Sequence, residues 1–324
     1  MDLRQGPADL VVLSFSDSDL GAFAEGWRRG RDGLPSLRLA NLVALRHPVS
    51  VDTYAEATLS GAKGILVRLI GGEAYWPHGL AVLQDLARRR GIALAVLPAD
   101  GRDDLRLDAL STLPVSTLRR LKELCDAGGA VAAQAALAQL ALAAGLYAGP
   151  VVGQKTVPEQ GFWCPERGVI AAPEGTGPLA LVSFYRSYLT AADTAPMAAL
   201  IEGLRARGFA ASGVFATSLK APGFGDWLAA ELGARAPALV VNATAFSAKG
   251  ADGATPFDRF DCPVFQVALS TARKREWGAA ERGLSPADLA MHVVLPEVDG
   301  RLFAGVVSFK APEPRDADLG FARF

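Results

Sequence analysis

Gly64-Ile-Leu-Val-Arg-Leu-Ile-Gly-Gly72 is a short apolar run interrupted once, by Arg68, and closed by paired glycines. A strand with one wet face alternates apolar and polar residues, whereas a continuous apolar strand belongs to a sheet covered on both faces. The flanks agree with the second case. Downstream, Leu80, Leu83 and Ala87 sit at helical spacing, Gly91 is a helix stop, and residues 92–97 repeat the continuous apolar pattern. Upstream, residues 51–59 read as helix, 37–45 as strand and 10–15 as another strand. Ser16-Asp-Ser-Asp19 then opens a helix whose buried face is Leu20, Phe23, Ala24 and Trp27. This alternation predicts an α/β domain built on a parallel sheet.

From 103 to 145 the pattern is helical only, with Leu118, Leu121 and Cys125 on one stripe and Leu137, Leu140 and Ala144 on another. Residues 145–177 carry Pro150, Pro158, Pro165 and Pro173 and no sustained period, although Gly161-Phe-Trp-Cys-Pro165 holds an aromatic pair. A second α/β series follows. It has strands at 179–184, 210–217, 238–245 and 264–269, a helix at 224–232, and a helix carrying Met197, Leu200, Ile201 and Leu204 that Gly208 ends. The expected fold is therefore α/β, with two doubly wound, mostly parallel-sheet domains and a helical insertion between them. The first domain is 1–145, its helices running from about 103 to 145; a linker is 146–178; the second domain is 179–324. The halves share a rhythm but no residue-level repeat.

The last part of the chain is dense in signals. Ser285 caps a helix, Pro286 suits its first turn and Asp288 stands at the capping-box position. Leu289 and Val293 would share the buried face, while Asp288 and His292, four residues apart, lie within hydrogen-bonding reach of each other. Pro296 is expected to stop the helix, Asp299-Gly300 to turn, and 302–309 to form a strand.

The chain has 324 residues, half of them apolar, enough for two packed cores. Net charge is -1, with no cationic run beyond Arg88-Arg89-Arg90 at a helix end, so nucleic-acid binding has no electrostatic footprint. Cys125, Cys164 and Cys262 are odd in number and widely spaced, as reduced structural thiols of a cytoplasmic protein would be. Residues 131–147 are Ala-rich, broken by Gln134 and Gln139, and shorter than the roughly 20 apolar residues of a membrane span. The first residues lack a basic-then-apolar leader pattern.

Ligands of open parallel sheets bind beyond the carboxyl ends of the strands. Those ends are polar here: Ser16-Asp17, His47, Gly71-Gly72, Tyr185-Arg186-Ser187, Thr217-Ser218 with Lys220, Phe246-Ser247 and Ser270-Thr271. Loops are polar in any case, and Ser, Thr and Asp cap helices. The histidines His47, His78 and His292 form no dense ligand motif; His47, at a strand end before Pro48, is the candidate metal ligand, imidazole being suited to divalent cobalt. Tyr75 and Trp76 would stack on a flat macrocycle, though aromatics opening a helix usually pack inward. No phosphate-cradling Gly-x-x-x-x-Gly-Lys-Ser/Thr, no Gly-x-Gly-x-x-Gly and no Gly-x-Ser-x-Gly occurs, so no nucleotide cofactor is expected on this chain.

Ser285-Pro-Ala-Asp-Leu-Ala-Met-His-Val-Val-Leu-Pro-Glu-Val-Asp-Gly300 resembles a segment shared by the CobN subunit of aerobic cobaltochelatase and the large subunit of magnesium chelatase. Leu39-Ala-Asn-Leu42, His47-Pro-Val-Ser-Val-Asp-Thr-Tyr54, Val67-Arg-Leu-Ile-Gly-Gly72, Phe184-Tyr-Arg-Ser-Tyr-Leu-Thr-Ala-Ala-Asp-Thr-Ala-Pro196, Ala216-Thr-Ser-Leu-Lys220 and Asn242-Ala-Thr-Ala-Phe246 are similar to CobN in particular. The resemblance spans about 37–310. It implies the large, substrate-binding subunit of a complex that inserts Co(II) into hydrogenobyrinic acid a,c-diamide in aerobic cobalamin synthesis. Cobalt is then a substrate, and AAA+-type partners, CobS and CobT, bind and hydrolyse the ATP. CobN-like chains are several times longer, so the resemblance also implies an amino-terminal portion, inactive by itself. Metal insertion needs ligands and bases, for which His47, His292, Asp288 and Glu297 are the candidates. A corrinoid carries carboxylates, for which Tyr185, Arg186, Ser187, Ser218 and Lys220 are the candidates. The competing implications are a magnesium-chelatase large subunit binding protoporphyrin IX, and a non-catalytic docking module.

Overall fold

The computed structural model describes residues 2–250, 252–311 and 314–322. The chain divides into two compact units. One is Met1–Val157 with Thr190–Ala192 and Pro312–Phe324; the other is Pro158–Leu189 with Asp193–Ala311.

The first unit is a parallel sheet of β1 (Leu10–Ser14), β2 (Leu37–Asn41), β3 (Gly64–Leu69) and β4 (Ala93–Pro98) in the order β2-β1-β3-β4. Every residue of β1, β3 and β4 is buried, as the continuous apolar runs require. Its helices are α1 (Asp17–Arg29), α2 (Pro48–Ala57), α3 (Pro77–Arg90), α4 (Leu105–Leu110), α5 (Val115–Ala127) and α6 (Gly129–Ala143). Val11, Leu13, Ile65 and Val67 meet α2 and α3 on one face. Leu10, Val12 and Leu66 meet Leu20 and Trp27 of α1, Leu118 of α5 and Leu137 of α6 on the other. The helices at 103–145 are thus no separate insertion: α5 and α6 complete the second layer of this unit. Gly26 permits it, since a Cβ there would stand 2.6 Å from the Gln134 nitrogen.

Three further features of this unit have identifiable contacts behind them. The strand expected at 37–45 ends at Asn41, whose side chain accepts from Val43 N at 2.9 Å and starts a 3-10 turn, Leu42–Leu45. Arg68, the one break in the deciding apolar run, is buried with its guanidinium donating to Asp126 (2.9 Å) and Asp19 (3.4 Å). The segment 314–322, expected in the second domain, belongs to the first unit. Leu319 is fully buried there, its carbonyl accepts from Leu39 N on edge strand β2, and Gln5 Nε2 donates to Leu39 O and Gly320 O, both at 2.8 Å.

The second unit is a sheet of β5 (Gln160–Cys164), β6 (Gly168–Ile170), β7 (Leu179–Tyr185), β8 (Ala210–Ala216), β9 (Leu239–Asn242), β10 (Val264–Leu269) and β11 (Leu302–Ser308), in the order β11-β10-β9-β7-β8-β5-β6. It is parallel from β11 to β8, with β5 antiparallel to β8 and to β6. The helices are α7 (Arg186–Thr190), α8 (Ala195–Arg205), α9 (Phe224–Leu232), α10 (Lys274–Ala279), α11 (Pro286–Leu289) and α12 (Leu295–Glu297), the last two joined by a π turn, Ala290–Val294. Part of the expected linker 146–178 is therefore sheet: Phe162, Trp163 and Cys164 are buried, and β5 extends the sheet beside β8.

Pro296 does not end the last helix. The π turn widens the spiral ahead of it, Pro296 sits where α12 begins and no N–H is needed, and helix continues to Glu297. The buried face is also not the expected one. Leu289 and Val293 are half-buried, whereas Asp288, His292 and Pro296 face inward. Ser285 does cap the helix, accepting from Asp288 N at 3.1 Å.

Candidate functional site

Buried polar groups run across the second sheet from β7 to Arg301, the residue just before β11. Ser183 Oγ on β7 donates to Asn242 Oδ1 on β9, and Asn242 Nδ2 donates to Gln266 Oε1 on β10 at 2.7 Å. Arg301 reaches the same Gln266 oxygen at 3.0 Å and Asp299 at 2.7 Å, and both members of this ion pair are buried. Burial pulls the Arg301 guanidinium below its usual value while Asp299 opposes the shift. Asp299 also accepts from Ser247 Oγ and Ala248 N, each at 2.6 Å, which ties down the loop after β9. In the sequence Asp299 reads as turn chemistry. The only available signal for its ion pair was Arg301 two residues on.

Asp288 is fully buried. Its carboxylate accepts from Ser270 Oγ (3.2 Å), Thr271 N (3.0 Å) and Thr271 Oγ1 (3.0 Å) at the end of β10. It pins the helix to the strand end and does not complete a capping box. Among the described residues no hydrogen bond joins it to His292. His292, on the π turn, is 8% exposed, and its Nδ1 is buried without a hydrogen-bond partner. Burial lowers the imidazole pKa and the Asp288 charge opposes the shift, so the ring is neutral at pH 7 and can accept a proton or ligate a metal. Beside it, Phe246 N donates to Met291 O at 2.8 Å with Phe246 at φ +65°, a left-handed conformation that costs a non-glycine residue about 1–3 kcal/mol. The strained residue, the π turn and the orphaned nitrogen coincide at one strand edge.

The predicted carboxylate-binding residues leave adjacent strands, since β7 and β8 pair in parallel with Tyr185 opposite Ala216. They are not equally available. Arg186 Nε donates to Pro158 O at 2.9 Å, and Tyr185 OH donates to Ala245 O at 2.7 Å, so both serve the frame of the edge. Ser218 Oγ accepts from Lys220 N at 3.1 Å; Lys220 and Ser187 are exposed. β9 separates this group from Asp288 and His292. Glu297 is exposed at the end of α12.

His47 lies in the first unit, at the carboxyl edge of that sheet. It caps α2, its Nδ1 accepting from Val49 N at 3.3 Å. An imidazole that accepts at Nδ1 carries its proton at Nε2, so metal ligation at Nε2 would require giving up the cap. Nearby, His78 Nε2 and Asp52 Oδ1 are 2.9 Å apart. Among the described residues no group of three or more His, Cys, Asp or Glu side chains could hold a metal ion, and no helix is long and apolar enough to cross a membrane.

The family model described as CobN/Magnesium Chelatase matches residues 128–322. The chain belongs to this family. Over 98% of its length it is 39% identical to the aerobic cobaltochelatase subunit CobN of Sinorhizobium sp, and over 95% it is 36% identical to the protein of the same name from Pseudomonas aeruginosa. It covers 26% and 25% of those relatives, so it spans about a quarter of their length. Among solved structures, the catalytic subunit of cobaltochelatase from Mycobacterium tuberculosis shares the fold, with a TM-score of 0.73 at 23% identity over 97% of this chain and 25% of that one.

Proposed function

We propose that this chain is the corrinoid-binding portion of the large subunit of an ATP-dependent cobaltochelatase, which inserts Co(II) into hydrogenobyrinic acid a,c-diamide in aerobic cobalamin synthesis. The identity to CobN along nearly the whole chain carries this reading. Insertion must remove two ring protons and strip water from the metal. His292, neutral and with an unpartnered buried nitrogen, suits the first task as a proton acceptor or the second as a ligand. Asp288 positions it by fixing the helix to β10. Lys220, the terminal N–H groups of Arg186 and the hydroxyls of Ser187 and Ser218 supply donors for the carboxylates of the ring, while Tyr185, its hydroxyl committed to Ala245 O, holds the edge in shape. ATP hydrolysis falls to the AAA+-type partners CobS and CobT, in line with the missing phosphate loop, and the complex works in the cytoplasm.

Titration of hydrogenobyrinic acid a,c-diamide, followed by tryptophan quenching, tests the reading. Binding should weaken by about tenfold or more in Arg186→Ala, the loss of one charge-assisted contact. Equal affinity at low salt, with the fold intact, removes Arg186 from the site; no binding by the wild type removes the reading itself. Because the family description also names magnesium chelatase, protoporphyrin IX is the competing ligand in the same titration.

A further inference from the structure

The first unit has a cleft of its own, ≈ 590 Å³ in volume, lined by Phe15, Arg46, Pro48, Tyr75, Trp76 and His78. We propose that it binds a planar conjugated molecule bearing an acidic group. The site is built from the first unit alone, and it does not depend on the corrinoid assignment made above for the second.

Position is the first argument. Phe15 follows β1, Arg46 follows β2 and its 3-10 turn, and Tyr75 and Trp76 follow β3. The order β2-β1-β3-β4 changes direction between β1 and β3, and the crevice outside the carboxyl ends at such a point is where open parallel sheets take ligands. The volume falls within the range of about 300–1,000 Å³ usual for small-molecule sites.

The wall chemistry is the second argument. Tyr75 stands edge-on to Phe15, centroids 6.3 Å apart and planes at 78°, and 63% of Tyr75 remains exposed. Trp76 is pinned by its Nε1 donating to Leu45 O at 2.8 Å. Two glycines seat these rings. A Cβ on Gly71 would lie 2.4 Å from the Tyr75 ring, and one on Gly79 would lie 2.0 Å from the Trp76 ring. Trp76, 4% exposed, backs the wall, and the exposed ring of Tyr75 is the face on which a flat partner would stack.

Charge is the third argument. The Arg46 guanidinium rides over Phe15, 6.0 Å from its centroid, and among the described residues it pairs with no carboxylate. His78 adds an imidazole whose partner is Asp52. The acids nearest in sequence are Asp17, which accepts from Asn41 Nδ2 at 2.8 Å, Asp52, which His78 engages, and Glu73, two residues before Tyr75. A guanidinium beside an exposed ring selects an acid and excludes a cationic aromatic.

The test uses two fluorescent probes that differ by one sulfonate group: 8-anilinonaphthalene-1-sulfonate and its uncharged parent, N-phenyl-1-naphthylamine. The wild-type chain should bind the sulfonate at one site. Arg46→Gln should weaken the sulfonate about tenfold and leave the uncharged probe unchanged. Tyr75→Ala should weaken both, and Tyr75→Phe, which keeps the ring, should restore both. Arg46 and Tyr75 are exposed, so the fold should survive, and circular dichroism checks it. The proposal fails if the wild type does not bind the sulfonate, or if Arg46→Gln and Tyr75→Ala leave its affinity unchanged. It also fails if Arg46→Gln weakens both probes equally, since the acid would then not be recognised. Corrinoid affinity in Arg186→Ala is a separate readout, so failure of one proposal is distinguishable from failure of the other.

Discussion

Asp288 shows how one residue can be found in the sequence and misassigned in role. Its spacing from Ser285 suggests a helix cap, worth about 0.5–2 kcal/mol. Its carboxylate instead accepts from Ser270 and Thr271, with no exposed surface. Asp288→Ala removes a buried charged acceptor and strands its donors, so a loss of about 1.5–3 kcal/mol or more is expected by urea unfolding. A loss of only a few tenths would mean that the strand-end contacts carry little. His292 gives a pH signature. Burial holds its folded pKa below the usual histidine value of 6.5, so between those two values the unfolded chain binds a proton that the native chain does not. Stability from this group is complete above about pH 6.5, falls as pH drops through 6.5 towards the folded pKa, and then levels. His292→Gln should flatten that part of the stability profile; an unchanged profile would show that His292 titrates alike in both states.

At the scale of elements, β5 and β6 were hidden by prolines. Pro158, Pro165 and Pro173 flank the strands and do not interrupt them, and the buried aromatic pair Phe162-Trp163 marks β5 from within. Period alone could not reveal β5, because half of its pairing is with β8, far along the chain. Residues 152–156 are exposed and outside helix and strand, whereas Arg167 lies in the tight turn closed by the Cys164–Gly168 pair. Limited trypsin digestion should therefore cut after Lys155 before Arg167, read by mass spectrometry of the first fragments. Initial cleavage at Arg167 would show the hairpin opening more readily than the segment before it.

For the whole molecule, the surprise is the return of 314–322 to the first unit. Leu319 is fully buried and its carbonyl accepts from Leu39 on the sheet edge. Leu319→Ala should cost about 2–5 kcal/mol, as other buried leucines do. The loss should fall on the first unit: hydrogen exchange should rise at β1 and β2 and stay unchanged at β7 and β8. Uniform acceleration in both units would mean that they unfold together.

The α/β class, the strands β1, β3, β4, β7, β8 and β10, and the helix at 224–232 are written in local pattern, because a strand covered on both faces is mostly apolar and a packed helix repeats near 3.6 residues. The membership of the family is likewise carried by short blocks of side chains. What the chain alone could not disclose depends on pairing at a distance. The partners of Arg68 come from α1 and α5, those of Asp299 from the loop after β9, and those of Asp288 from the end of β10. A buried charge looks like any surface charge until the groups that compensate it are in place. The same holds for the inward face of the last helix: its apolar stripe, Leu289 and Val293, was the plain reading, and only the polar end of β10 turned Asp288 and His292 inward instead.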